Sequence, residues 1–171
     1  MKKIIADKAY ELGFFYEKEY KGCAQCTLAA LQEAFEMPND SLFRAGSALS
    51  GGGCSTCAGS CGAYVGAVMF IGSILGRRRE FFDNDEALKT TSSDLAKELY
   101  DLFVQEYGSI ICNRIHKDIF GRTYDFFDPV EKQQFEDDGA HTVKCTAVVA
   151  KAAKWCVELL YPELEKRGLL V

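Results

Sequence analysis

The placement of the cysteines constrains this chain more than any other feature. Five of its eight cysteines lie in the first 61 residues, as the pair Cys23 and Cys26 and the triplet Cys54, Cys57 and Cys61. A thiol needed only as a small apolar core group has no reason to recur at a spacing of three. That spacing lets two sulfurs share one metal ion or form a disulfide with each other. The sequence therefore predicts a fold that gathers thiols for metal or redox chemistry.

Length, charge and hydropathy further limit the classes of protein to which this chain could belong. The 171 residues are enough for one domain with its own core, so residues 1–171 are predicted to be a single domain. The net charge of -5 excludes the broad basic surface of a nucleic-acid-binding protein. The longest apolar stretch, residues 63–75, is too short to cross a bilayer, so no membrane partner is expected. With no signal peptide in the first residues, a cytoplasmic location is predicted, where thiols stay reduced and cysteine clusters bind metals or cycle.

Helical periodicity runs through most of the chain, and no alternating strand pattern interrupts it. Apolar residues recur at steps of three and four, and prolines number only three. The sequence predicts long helices over residues 2–20, 23–37, 61–76, 84–107, 109–120 and 139–166, with shorter helices after Asn39 and at Pro129. Gly62 and Gly66 repeat at a spacing of four, which would let a second helix approach closely. The predicted fold is an all-α, single-domain helical bundle with a glycine- and cysteine-rich loop.

The loop contains three consecutive glycines, Gly51, Gly52 and Gly53, directly before Cys54. Such a run allows positive φ angles that other residues adopt only with strain. We expect it to curl over the cysteine site and to offer backbone N–H groups to a bound cofactor. No Gly-Lys-Ser/Thr sequence follows the glycines, so a nucleotide phosphate loop is excluded.

Cys23 and Cys26 follow Gly22 and are predicted to lie in the first turn of a helix. Free N–H groups and the helix dipole there favour a thiolate, so a lowered pKa is predicted for Cys23. No histidine follows either CxxC, which excludes covalent c-type haem. Cys54 and Cys57 are candidates for a redox pair or for additional ligands.

Two further cysteines are each paired with a histidine at a spacing of four: Cys112 with His116, and Cys145 with His141. Either pair could bind a metal or form a Cys–His nucleophile. Either histidine could equally be a surface or capping residue. Cys156 is predicted to be a core residue, because free cysteine is among the most buried residue types.

Four segments together resemble a known family, the redox-active proteins named for the cysteine pattern C_GCAxxG_C_C, found mainly in anaerobic bacteria and archaea. They are Gly22-Cys23-Ala24-Gln25, the glycines with Cys61-Gly62-Ala63-Tyr64-Val65-Gly66, Tyr107-Gly108-Ser109-Ile110-Ile111-Cys112, and His141-Thr142-Val143-Lys144-Cys145. The resemblance implies an all-α domain whose family cysteines are Cys23, Cys61, Cys112 and Cys145. A further similarity to a region of split-Soret cytochromes c implies an iron–sulfur or other metal site. This chain adds Cys26, Cys54 and Cys57.

The leading hypothesis is a redox protein that binds an iron–sulfur cluster through Cys23, Cys61, Cys112 and Cys145, with Cys26 as a further ligand. Zinc is the alternative metal, because thiolates suit both. The other functional alternatives are a metal-free thiol–disulfide oxidoreductase and a zinc-stabilised structural or interaction module. A redox partner protein is expected, and a homo-oligomer is compatible with the sequence.

Overall fold

Helices account for most of the chain, as the periodicity predicts. The computed structural model describes residues 1–84 and 86–170, and within those ranges it contains eight α-helices and no strand. The helices are α1 (Lys2–Glu19), α2 (Cys23–Ala34), α3 (Asp40–Ala45), α4 (Gly62–Leu75), α5 (Glu86–Tyr107), α6 (Cys112–Phe120), α7 (Pro129–Asp137) and α8 (Cys145–Lys166). A short 3₁₀ turn covers Arg79–Phe81, and a π-helical segment covers Ala140–Lys144. The all-α prediction is confirmed.

Most predicted helix boundaries are correct to within a few residues, and local chemistry explains them. Asn39 accepts a hydrogen bond from the Leu42 amide at 3.0 Å, which caps α3 as expected. Asp128 caps α7 in the same way, with Pro129 at the first helical position. The helix predicted from residue 84 begins at Glu86: Asn84 lies in a turn, and residue 85 lies outside the described residues.

The predicted last helix, 139–166, is divided into two parts. It begins with the π-helical segment Ala140–Lys144 and becomes α-helical at Cys145. A π-segment contains one extra residue per turn, and such segments occur often at functional sites. Here it places His141 and Cys145 on the wall of the same cavity.

The core is built where small residues let helices approach closely. α1 packs along α8, and α2 lies against α1, α4 and α8. An added Cβ on Gly66 of α4 would lie 2.5 Å from the Ala24 carbonyl oxygen of α2, so only glycine fits there. The close approach predicted from the Gly62 and Gly66 repeat is therefore present. Among the described helices, none is long and apolar enough to span a membrane.

The loop between α3 and α4 is tied to the start of α6 by main-chain hydrogen bonds. Ser60 and Ile111 form an isolated antiparallel bridge. The Cys112 amide donates to the Gly59 carbonyl at 3.0 Å, and the Asn113 amide donates to the Cys57 carbonyl at 2.9 Å. These bonds bring the cysteine triplet beside Cys112, which lies more than fifty residues away in the sequence.

Candidate metal and redox site

Four cysteines that are far apart in the sequence line one cavity. Cys23, Cys61, Cys112 and Cys145 all contribute to the wall of a cavity of about 350 Å³. Apolar side chains of α6, α7 and α8 and of the loop before α7 complete much of the remaining wall: Ile115, Phe126, Phe135, Val148 and Val149. The structure thus brings together the four cysteines singled out from the sequence.

Each of these cysteines lies at the start of a helix. Cys23 and Cys112 are the first residues of α2 and α6, and Cys61 directly precedes α4. The free N–H groups and the dipole at a helix N-terminus stabilise negative charge, so these helices favour a thiolate or an anionic cluster. Cys145 also begins a helix, α8, but its amide is not free, because it already donates a hydrogen bond to the Ala140 carbonyl of the preceding π-segment.

Cys23 and Cys61 form one contacting pair of sulfurs in the cavity wall. The Cys61 side chain hydrogen-bonds to Cys23, and this contact, together with burial, raises the pKa of Cys23 well above its usual value. Hydrogen bonds to Cys23 from the Gly51 amide and the Ser50 side chain lower this pKa, but their effect is smaller. The lowered pKa predicted for Cys23 is therefore wrong in the metal-free protein, because a neighbouring thiol and burial outweigh the position at the helix start.

Cys57, Cys112 and His116 form a second, buried group. One ligand atom from each lies within 4.8 Å of the others, close enough to hold a metal ion. Hydrogen bonding from the Cys112 thiol and then from His116, together with the charge of His116, lowers the pKa of Cys57 to about 5. The same contact with Cys57, with burial, raises the pKa of Cys112. The contact between the two sulfurs therefore favours negative charge on Cys57 and the proton on Cys112.

The other cysteines lie outside this arrangement. Cys54 is exposed, and its thiol donates to the Ala48 carbonyl at 3.6 Å, whereas its suggested redox partner Cys57 is buried against Cys112. Cys26 is buried, with its thiol 3.3 Å from the Lys21 carbonyl, and it is not among the residues that line the cavity. Cys156 is fully buried, which confirms its prediction as a core residue.

The glycine loop adopts a left-handed backbone beside these sulfurs. Gly51, Gly52 and Gly53 have φ angles of 59°, 69° and 79°, and Cys54 and Ser55 continue with 51° and 60°. The predicted positive φ is thus found at all three glycines. Left-handed backbone is costly only for residues with a Cβ, so Cys54 and Ser55 need support from their surroundings, whereas the three glycines adopt it without strain.

Residues 22–159 match the family model described as "Putative redox-active protein (C_GCAxxG_C_C)". The chain belongs to this family. No curated protein and no solved structure matches the chain. The description of the family names redox activity, and the structure adds a Cys/His group able to hold a metal ion.

The cysteine-lined cavity also has a polar wall, which the sequence did not reveal as part of the site. Glu17 of α1 is only 2% exposed and lines the cavity; burial raises the pKa of its carboxyl group well above its usual value, and a hydrogen bond with the Cys26 side chain acts in the opposite direction. His141 Nε2 lies 3.6 Å from Glu17 Oε1, and His141 Nδ1 lies 2.8 Å from Glu136. A signal was available: Glu17 continues the buried stripe Ala6, Ala9 and Gly13 of α1, where a carboxylate is out of place.

The residues present fit a thiolate-bound metal. Cys112 is buried and Cys23 and Cys145 are half-buried, and the pKa values of all three thiols are raised, so they keep their protons unless a cation takes the place of those protons. Soft thiolates suit iron–sulfur clusters and zinc alike. His116 Nδ1 is buried without a hydrogen-bond partner, so its ring is oriented by Cys112 and by packed aromatic rings rather than by a carboxylate.

Proposed function

We propose that the protein is a cytoplasmic redox protein that holds an iron–sulfur centre in the cysteine-lined cavity and exchanges electrons with a partner protein. Cys23, Cys61, Cys112 and Cys145 would be its ligands. The observation that carries the proposal is that these four cysteines, each at the start of a different helix, line one cavity. Such a centre, when bound, accepts and donates single electrons.

The surroundings of the four sulfurs support this proposal. The starts of α2, α4 and α6 direct partial positive charge toward the cavity. The Gly51 amide hydrogen-bonds to Cys23, and hydrogen bonds to cluster sulfurs tune reduction potentials. Cys57 and His116 lie directly against Cys112, so they can orient that sulfur or substitute for a lost ligand.

A second candidate is metal-free thiol–disulfide exchange at Cys57 and Cys112, favoured by the lowered pKa of Cys57 and its contact with Cys112. The Cys57 thiolate would attack a substrate disulfide, forming a mixed disulfide and releasing one thiolate. Cys112, giving up its proton, would then attack the Cys57 sulfur, releasing the second thiolate and leaving a Cys57–Cys112 disulfide. Both sulfurs are buried, which restricts this route to small disulfides and makes it the weaker candidate.

The test is anaerobic purification followed by reconstitution with iron and sulfide, with metal content, visible absorption and electron paramagnetic resonance as readouts. Serine variants of Cys23, Cys61, Cys112 and Cys145 should each lose the cluster or change its spectrum. The matched control is Cys54→Ser, which changes an exposed thiol of the same loop. Equal cluster retention in all four variants and the control would contradict the ligand assignment. A colourless protein with bound zinc would instead favour the zinc-stabilised module, and a reversible Cys57–Cys112 disulfide without metal would favour the second candidate.

A further inference from the structure

The buried group of Cys57, Cys112 and His116 has the composition of a metal site of its own. Its three ligand atoms lie within 4.8 Å of one another, and Cys112 Sγ lies 3.6 Å from His116 Nε2. Cys57 and His116 are not among the four ligands of the iron–sulfur centre proposed above. Thiolate sulfur and imidazole nitrogen are the ligands that zinc prefers in proteins, and three of them leave one of its four tetrahedral positions open.

The backbone holds the two sulfurs of this group together without a metal ion. The Cys112 amide donates to the Gly59 carbonyl at 3.0 Å, and the Asn113 amide donates to the Cys57 carbonyl at 2.9 Å. Cys57 itself has a φ angle of 56°, in the left-handed region that is costly for a residue with a Cβ. Backbone strain that the surroundings enforce is concentrated at functional sites, which agrees with a role for this sulfur as a ligand.

Aromatic rings fix the orientation of the imidazole in this group. His116 is buried, and four rings surround it with centroids between 5.1 and 6.0 Å from its own: those of Phe120, Tyr124, Phe126 and Phe135. An apolar shell of this kind restricts the access of solvent to a metal site. Packing alone would be served by apolar side chains, because burying polar groups costs free energy unless they bond to each other or to an ion.

The open position of an ion held here would be reached from the cavity. Cys112 and His116 both line the cavity of about 350 Å³, so the group lies in its wall. Much of the neighbouring wall is apolar, including Ile115, Phe126 and Phe135. A donor that enters from this side must belong to a small molecule, and apolar surroundings disfavour a strongly hydrated oxygen anion. Zinc is borderline-soft and binds sulfur well, so a small thiol suits this position.

We propose that Cys57, Cys112 and His116 bind one zinc ion, whose fourth position binds a small thiol from the cavity as a thiolate. This site goes beyond the proposed iron–sulfur centre and requires no electrons from it. Cys112 is common to both sites, and a thiolate sulfur can bridge two metals. When the thiol binds, a zinc–sulfur bond replaces a zinc–water bond, and the S–H proton passes to solvent because a coordinated thiol is deprotonated. Nothing is oxidised or reduced in this step, which keeps the thiol in its nucleophilic form.

The test of the ligand set uses the metal-free wild-type protein, reduced with a phosphine and supplied with zinc alone. X-ray absorption at the zinc edge should show two sulfurs at about 2.3 Å and one imidazole nitrogen at about 2.0–2.1 Å. A shell of four sulfurs would place the ion on Cys23, Cys61, Cys112 and Cys145 and would overturn the proposal. Because no iron or sulfide is present, this result does not depend on whether the iron–sulfur centre exists.

Cys57→Ser and His116→Ala each remove one proposed ligand. Loss of a group that only orients a ligand weakens metal binding by about 10–100-fold, so loss of a direct ligand should weaken zinc binding by about 100-fold or more. Cys54→Ser, which changes an exposed thiol of the same loop, is the matched control and should keep the wild-type affinity. Competition with a chromophoric chelator would measure each affinity, and circular dichroism would show that the metal-free variants are folded. Wild-type affinity in both ligand variants would overturn the proposal.

The open position is tested with 2-mercaptoethanol, and ethylene glycol, its hydroxyl analogue, is the matched control. Addition of 2-mercaptoethanol to the zinc-bound wild-type protein should raise the number of sulfurs on zinc from two to three, whereas ethylene glycol should leave it at two. A number that stays at two with the thiol would overturn the thiol as the ligand. Three sulfurs before any thiol is added would show that another cysteine of the chain fills the position, which would overturn the open site.

Discussion

Cys112 Sγ lies 3.6 Å from His116 Nε2, one turn further along α6. The same sulfur contacts Cys57, which belongs to the left-handed loop before α4. A spacing of four on a helix brings two side chains to the same face, so the first contact is local. The contact between Cys112 and Cys57 is not local, because it depends on the loop being held against the start of α6. The pKa of Cys57 therefore indicates whether the loop is packed correctly against α6.

The first prediction concerns that thiolate. The metal-free wild-type protein should carry a thiolate that titrates with a pKa of about 5, seen in its ultraviolet thiolate absorbance, because Cys112 and His116 stabilise the charge on Cys57. Cys57→Ser should lose this low-pH step, and His116→Ala should move it upward. Cys54→Ser, which changes an exposed thiol of the same loop, is the control and should keep the step. A wild-type protein without thiolate absorbance at pH 7 would refute this assignment.

The same group makes folding stability depend on pH. The pKa of Cys57 is about 5 in the folded protein and that of an unfolded cysteine is about 8.5, so the folded state binds fewer protons between these values. Its stabilising contribution is complete above the unfolded pKa and is lost as the pH falls through 5. Burial raises the pKa of Glu17, and that group acts in the opposite direction over the same window, so the measurement is a comparison of two proteins. In urea unfolding, the slope of stability against pH should be lower in Cys57→Ser than in the wild type. An unchanged slope in the variant would show that another group is responsible.

A second prediction separates backbone strain from contact in the glycine loop. Gly52 and Gly53 both have positive φ, so alanine at either position should cost about 1 kcal/mol from backbone strain. Only Gly52 is also enclosed, since a Cβ there would lie 2.9 Å from Cys112 Cβ and from the Cys57 backbone. Gly53→Ala meets nothing within 4 Å and is the matched control. Gly52→Ala should therefore lose a further 1–3 kcal/mol, on the order of other overpacked sites, when unfolding is measured in urea.

Metal retention should follow the same order. Gly52→Ala displaces the contact between Cys57 and Cys112, so reconstituted protein should bind less metal or bind it more weakly. Gly53→Ala should retain metal nearly as well as the wild type. Equal retention in both variants would indicate that the loop connects α3 and α4 without shaping the site.

The helices could be predicted from the sequence because their signals are local. Apolar residues at steps of three and four, the Asn39 and Asp128 caps and the glycines after α5 and α6 each determine a boundary within a few neighbouring residues. The π-segment before α8 could not be predicted in this way. Its α-like periodicity over 139–166 conceals one extra residue, whose position depends on packing against α1 and α7.

The site was predictable only in part, for the same physical reason. The four family cysteines carry a pattern, and the spacing of Cys112 and His116 is local. The contact between Cys57 and Cys112 depends on hydrogen bonds from the Cys112 and Asn113 amides to the loop, which link residues more than fifty positions apart. The pKa of Cys23 illustrates the difference: the helix start predicts a lowered value, but the nearby Cys61 sulfur and burial raise it. Such effects follow from tertiary neighbours, which a one-dimensional pattern does not contain.

A third prediction tests the close packing of α4 on α2. Gly66→Ala would place a Cβ 2.5 Å from the Ala24 carbonyl oxygen, so the two helices must separate, and a loss of about 1–3 kcal/mol is expected. Gly72 lies on the same helix with nothing within 4 Å of its added Cβ. Gly72→Ala should therefore stabilise the protein by about 0.5–1 kcal/mol, because alanine is the better residue within a helix. Thermal unfolding of the two variants should shift in opposite directions; a shift in the same direction would contradict the packing described here.

The last prediction concerns the order in which thiols react in the metal-free protein. Cys54 is exposed and should be alkylated first by N-ethylmaleimide, while Cys156, fully buried with a pKa raised by burial, should react last. Cys23 and Cys145 line the cavity, but their pKa values are also raised, so they should react slowly at pH 7 and faster as the pH rises. If metal binds in the cavity, loading should protect Cys23 and Cys145 and leave the rate at Cys54 unchanged. Peptide mass mapping of the labelled protein would measure each rate, and protection of Cys54 instead of the cavity cysteines would place the metal elsewhere.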